Sequence, residues 1–235
     1  MSANETHYCS CLTFEDLDPA VQKVLNSQVR GVLLKSAKWP DRSVIRIRFL
    51  DGDPALQQRV RKAANEWDKL VNLTFSFDQR RPSDARIAFQ QGKGSWSYLG
   101  TMCKSIPEPQ PTMNFGWLTN ESSDEEVRSV VLHEFGHLLG LTHEHFNVKG
   151  GGIEWNRDAV IRDLSGPPNN WDADTIEHNM FQKFRDAEIY NTVMDRESIM
   201  MYPIPAAWTL NGMSIGFNSV LSEQDKKFVQ TMYHN

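Results

Sequence analysis

The segment His133-Glu-Phe-Gly-His-Leu-Leu-Gly-Leu-Thr-His143 gathers groups that can bind a metal and move a proton. On a helix, His133 and His137 stand at i and i+4, so both imidazoles leave one face and can share one ion. Glu134 is rotated by about 100° from His133, where a carboxylate reaches a water on the ion without joining its ligands. Gly140 is placed to end the helix in the left-handed conformation, and that reversal returns His143 towards the same ion. Three neutral imidazoles leave one position open, the pattern of a catalytic zinc rather than a structural one. Chance histidines on a helix are the alternative. Gly140 and His143 at the required offsets outweigh it, together with the apolar residues Val127, Val130, Val131 and Leu138 on the same helix.

A second motif, Ser198-Ile-Met-Met-Tyr-Pro203, begins 55 residues beyond His143. A His-Glu-x-x-His-x-x-Gly-x-x-His run followed by a methionine turn resembles the metzincin zinc endopeptidases. Within them, Glu144 directly after the third histidine and the Ser-Ile-Met-x-Tyr turn resemble the astacin family. Ser95-Trp-Ser-Tyr-Leu-Gly100 and Leu221-Ser-Glu-Gln-Asp225 resemble that family's strand segment and C-terminal helix, so the likeness spans roughly residues 35–235.

The resemblance implies an α+β, metzincin-like two-lobed zinc protease with its cleft running across the metal. The upper lobe, about 35–140, would hold a twisted sheet and two long helices. The lower lobe, about 141–235, would be mostly irregular and end in a helix. One Zn2+ per chain would sit on His133, His137 and His143, with Met200 as the structural methionine beneath it. Glu134 would be the general base and Tyr202 the second catalytic residue, approaching the tetrahedral intermediate. The implied activity is a zinc-dependent metalloendopeptidase that hydrolyses peptide bonds of peptide or protein substrates with a zinc-activated water. The chain departs from the family at Leu141, where astacins usually have Phe, and at Ser95, where a cysteine often precedes the Trp. It also has three cysteines where astacins carry paired disulfides. The rival from another class is a catalytically silent zinc-containing peptide-binding module, which has no need of Glu134. An exopeptidase would need a charged pocket for a chain end, and no segment identifies one.

These residues need elements to position them. Ser43–Leu50 alternates, with Ile45, Ile47 and Phe49 on one side and Arg46 and Arg48 on the other, which reads as a half-buried strand. Asp53-Pro54 opens a helix to about Val71, with Leu56, Val60, Ala63, Ala64, Trp67 and Leu70 on its apolar face. Further strands are expected at 73–78, 86–89, 95–99 and 112–117. The metal-binding helix starts near Ser123, where Ser122 and Ser123 are each followed three residues later by Glu125 and Glu126. Short helices are expected near 157–164 and 173–184, and a last one from Ser222 with Asp225 three residues on. The Ser95–Thr101 stretch is expected to offer substrate a strand edge. Trp96 and Tyr98 could line the cleft but read rather as strand aromatics of the core, His145 could assist at the site but reads rather as a hydrogen-bonded structural histidine, and His7, His178 and His234 read as surface residues.

Composition bounds the partners. The chain has 235 residues, 40% hydrophobic and 23% charged, with a net charge of −5. No basic stretch is long enough to follow a phosphate backbone, which excludes nucleic acid as the expected partner. Its apolar runs are far too short to span a membrane. The first ten residues lack a basic start followed by an apolar core, so the expectation is a cytoplasmic protein or one exported without a Sec-type signal, secretion remaining open. Nothing specifies an oligomer. Three cysteines, Cys9, Cys11 and Cys103, are too few for a disulfide scaffold. Residues 1–34, with a weak helical pattern at Val21, Val24, Leu25 and Val29, precede the catalytic likeness. Two roles are open for them: a segment packed on the domain, or a latency segment in which Cys9 or Cys11, or alternatively Asp16 or Asp18, fills the open metal position.

Overall fold

The computed structural model describes residues 6–12, 37–78, 82–147, 152–181 and 193–233. The expected helical pattern at 21–29, Asp16, Asp18 and His234 lie outside these residues.

Among the described residues six short strands form one sheet: β1 (Ser10–Leu12), β2 (Val44–Phe49), β3 (Thr74–Phe77), β4 (Ala85–Ala88), β5 (Trp96–Tyr98) and β6 (Met113–Asn114), in the order β1-β5-β6-β4-β2-β3. β3, β2, β4 and β6 run parallel to one another, β5 is antiparallel to β6, and β1 pairs parallel with β5. β2 to β6 occupy the expected stretches. β1 lies outside them, since three residues give no periodicity to read.

The period-2 pattern divides the sheet into two faces. Ile45, Ile47, Ile87 and Met113 point into the main core, against α1 (Pro54–Asp68) and α2 (Asp124–Leu138). Asp53 caps α1 by accepting from Ala55 N–H at 2.7 Å. Trp67, fully buried, donates its indole N–H to Leu132 O at 2.8 Å and so pins α1 to α2. On the opposite face the buried Arg86 guanidinium donates to the carbonyls of Gln110, Ser83 and Ile106 and holds the 106–111 loop over the sheet.

The second half is sparser in regular structure. α3 (Arg157–Leu164) and α4 (Ala173–Ile176), which runs on into a π-helical turn at Glu177–Phe181, surround a smaller core of Val160, Leu164, Ile176, Met180, Tyr202 and Trp208. α5 (Glu223–Met232) begins at a complete capping box between Ser222 and Asp225. Behind it Tyr233 donates its hydroxyl to Leu139 O at 2.6 Å, while the Trp39 indole donates to Leu138 O at 2.7 Å. These two donors satisfy carbonyls left open where α2 ends. Among the described residues no helix is long and apolar enough to cross a membrane.

Candidate metal centre

α2 delivers two of the three histidines. Ser123, rather than Ser122, is its N-cap, with Oγ accepting from Glu126 N–H at 3.1 Å and three acids in the first turn. At the other end Gly140 lies at φ 94°, donating to His137 O, and Leu141 N–H donates back to Gly136 O. This is a Schellman closure, and it turns the chain so that His143 faces α2 again.

Two hydrogen bonds fix how the rings point. His133 Nδ1 and His137 Nδ1 lie 2.8 Å from the carbonyl oxygens of Ile199 and Leu141. A carbonyl only accepts, so each Nδ1 carries the hydrogen and each Nε2 presents a lone pair. His133 Nε2 is buried and has no hydrogen-bond partner among the described residues. His137 Nε2 and His143 Nε2 stand 3.2 Å apart. Burial holds His133 down to about 4, and holds His137 and His143 well below the usual histidine range. All three are therefore neutral at pH 7, the form that binds metal.

A fourth donor completes the group. Cys9 Sγ lies 3.6 Å from His143 Nε2, and the donor atoms of Cys9, His133, His137 and His143 all lie within 4.8 Å of one another, every residue buried. Two nitrogens on a tetrahedral zinc, each at about 2.0–2.1 Å, stand about 3.3 Å apart, and a thiolate at about 2.3 Å stands about 3.6 Å from either. The His137–His143 and Cys9–His143 spacings match these edges, and the remaining donor atoms lie close enough to share one such ion. Burial, then the nearby Glu134, pushes the Cys9 thiol well above its usual range; coordination to a dication is what would deprotonate it.

Glu134 is fully buried, and both carboxyl oxygens lack a hydrogen-bond partner among the described residues. Burial pushes its pKa well above the usual carboxyl value. Tyr202 packs its ring 4.2 Å from the His143 ring and donates its hydroxyl to Cys9 O. Met200 lies under the histidines, so close to α2 that a Cβ on Gly136 would stand 2.3 Å from its sulfur. The methionine turn is held from α5: Asp225 accepts from Ser198 Oγ at 2.6 Å and from Ile199 N–H at 2.8 Å. Glu144 N–H donates to Met200 O, and its carboxylate accepts from Asp195 N–H, so the third histidine is tied to the same turn.

His133, Glu134, His137, His143, Met200 and Tyr202 thus lie together, with Cys9 as the one early candidate among the described residues that joins them. His145 has the structural place expected of it, with Nε2 2.8 Å from Asn179 O and its ring stacked on Tyr202 and His143. His7 is exposed, stacked at 4.8 Å on Trp117. Sequence reasoning missed Asp225 as the anchor of the turn and also missed Tyr8, Asn169 and Trp208. These last three hold residues 6–9 in the cleft, and contacts across more than 160 residues leave no local signal. Cys11 is buried away from the metal group, in a cluster with Ala37, Leu99 and Met102.

The sequence profile of the astacin peptidase family matches residues 31–234. The chain belongs to this family, whose zinc suits the donor set. It is 32% identical over 177 residues to zinc metalloproteinase nas-27 of Caenorhabditis elegans, covering 75% of this chain and 35% of that protein. It is 27% identical over 172 residues to nas-38 of the same organism, covering 70% and 20%. The chain thus spans about a third or less of the length of these curated relatives. Among solved structures, one of myroilysin is similar over 86% of this chain and 98% of its own, at 40% identity and a TM-score of 0.82. High choriolytic enzyme 1, a hatching enzyme zinc-protease from the medaka Oryzias latipes, shares the fold at 16% identity and a TM-score of 0.57, covering 85% of this chain and 95% of its own.

Proposed function

We propose that this chain is a zinc-dependent metalloendopeptidase which its own Cys9 holds latent. One observation carries the reading: a buried thiol and three buried neutral imidazoles converge with their donor atoms within 4.8 Å of one another, and the thiol comes from outside the histidine motif. His133, His137 and His143 are the permanent ligands, and Cys9 takes the fourth position. Once Cys9 withdraws, zinc held by the three histidines would supply a water of near-neutral pKa and polarise the scissile carbonyl.

The chain's own groups do the rest once residues 6–12 leave the cleft. Beside a dication the Glu134 carboxyl ionises, reversing the upward push of burial. Its free oxygens then take the proton of the attacking water and pass it to the leaving amine. The Tyr202 hydroxyl, released from Cys9 O, becomes a donor for the developing oxyanion. β5, which now pairs with β1, becomes available to the backbone of a substrate, giving affinity with little sequence demand. A binding module without turnover would have no use for an unpartnered buried carboxylate next to the ligands.

The test is a digest of denatured protein by the zinc-loaded full chain and by Cys9→Ser, each with and without a chelator. Cys9→Ser should cleave at least about tenfold faster than the unaltered chain, and the chelator should abolish cleavage in both. Equal rates would remove the latency role, and chelator-resistant cleavage would remove the zinc.

A further inference from the structure

Residues 6–9 lie beside the metal group, and Tyr8 fills an aromatic pocket there. Tyr8 is 3% exposed. Its ring stacks on Trp208 with centroids 5.2 Å apart, and it meets Tyr202 edge-on at 5.3 Å and Trp171 at 6.4 Å. Its hydroxyl donates to Pro203 O at 2.9 Å. The walls are fixed by bonds that do not involve Tyr8. The Trp208 indole donates to Asp163 at 2.8 Å, and Asn156 N–H donates to Trp208 O. Asn169 handles the backbone on either side of His7, accepting from Tyr8 N–H at 2.9 Å and donating to Thr6 O at 3.0 Å. An amide that both donates and accepts can hold a peptide running in either direction.

We propose that the pocket now filled by Tyr8 is the subsite that selects an aromatic side chain, tyrosine before phenylalanine, in the substrate residue next to the scissile bond, with Asn169 clamping that residue's main chain. This rests on the protease reading above. Tyr8 directly precedes the residue at the metal group, so a side chain taking its place belongs to a residue adjacent to the reacting carbonyl. The pocket is aromatic on three sides, with a carbonyl at its end and the Asp163 carboxylate behind one wall. It rewards a ring with a hydroxyl and gives no cation to a carboxylate, so acidic side chains are excluded.

The test uses the zinc-loaded full chain carrying Cys9→Ser, alone and combined with Trp171→Ala or Trp208→Phe, on a peptide library and on matched peptides with Tyr, Phe, Ala or Asp at the position concerned. Cleaved bonds should be enriched in Tyr and Phe at one fixed flanking position. The Tyr peptide should exceed the Ala peptide at least about tenfold in kcat/KM, within the range a filled apolar pocket provides. Trp171 is half-buried, so its truncation should leave the fold intact by circular dichroism while collapsing that ratio. A second readout needs no turnover: in the otherwise unaltered chain, Tyr8→Ala should speed labelling of Cys9 by a thiol reagent, located by peptide mass, and Tyr8→Phe should do so less. Zinc-dependent cleavage without aromatic enrichment on either side of the bond, or Cys9 labelling indifferent to Tyr8→Ala, overturns this inference and leaves the protease reading standing. Absence of zinc-dependent cleavage in every arm overturns both.

Discussion

The carbonyls of Ile199 and Leu141 each take one imidazole Nδ1 hydrogen, and with that the two helix histidines lose the freedom to present any atom but Nε2 to the metal. Glu134, one position along, is left without such a partner. On the mechanism proposed above, this contrast between neighbouring buried residues separates ligand from base. Glu134→Gln should keep near-stoichiometric zinc by metal analysis and lose about 10²–10⁴ in turnover, the usual worth of a general base. His143→Ala should do the reverse damage, retaining the fold by circular dichroism while most zinc is lost on dialysis. The proposed ligands and base were legible because they lie within eleven residues whose helix geometry fixes their directions. Between Cys9, Cys11 and the early aspartates the sequence offered no choice. Choosing Cys9 takes a tertiary fact, since its thiol meets His143 across 134 positions.

At the level of elements, the site depends on a turn that a distant helix grips. Asp225 looks from sequence like the third residue of a capping box, and it is one. The same carboxylate also accepts from Ser198 Oγ and Ile199 N–H, so a cap residue positions the methionine turn beneath the histidines. Periodicity and capping rules found α5 and its start. They did not find this second duty, because a local signal describes only the helix that carries it. Asp225→Ala would leave buried donors at Ser198, Ile199 and Ser222 unsatisfied, each worth about 1–3 kcal/mol and not fully additive. The expected loss is about 3–5 kcal/mol, read as a lower urea midpoint with an unchanged m-value. Asp225→Asn, which keeps one acceptor oxygen, should lose less. Equal stability of Asp225→Ala and the unaltered chain would mean that the turn is held by packing alone.

For the whole molecule, the metal group sits where three separately held parts meet. α2 belongs to the main core, His143 packs on Tyr202 of the smaller core, and Cys9 directly precedes β1, the strand at one edge of the sheet. An ion bound by all of them is a crosslink between these parts, and it stabilises only the folded arrangement. Zinc at a thousand times its dissociation constant contributes about 4 kcal/mol to folding by mass action. Stripping zinc with a chelator should therefore lower the thermal midpoint of the full chain, and returning zinc should restore it. Cys9→Ser should lower the midpoint of the zinc-loaded protein by a smaller amount, because three ligands remain. Removing the thiolate also weakens the hold on residues 6–12, which keep the Tyr8 pocket, Asn169 and β5. Limited proteolysis should thus cut near that segment faster in the stripped protein and in Cys9→Ser than in the zinc-loaded chain, while α2 stays protected in all three. If zinc leaves the midpoint and the cleavage pattern unchanged, the four donors do not share an ion in solution, and the latency mechanism fails along with the crosslink.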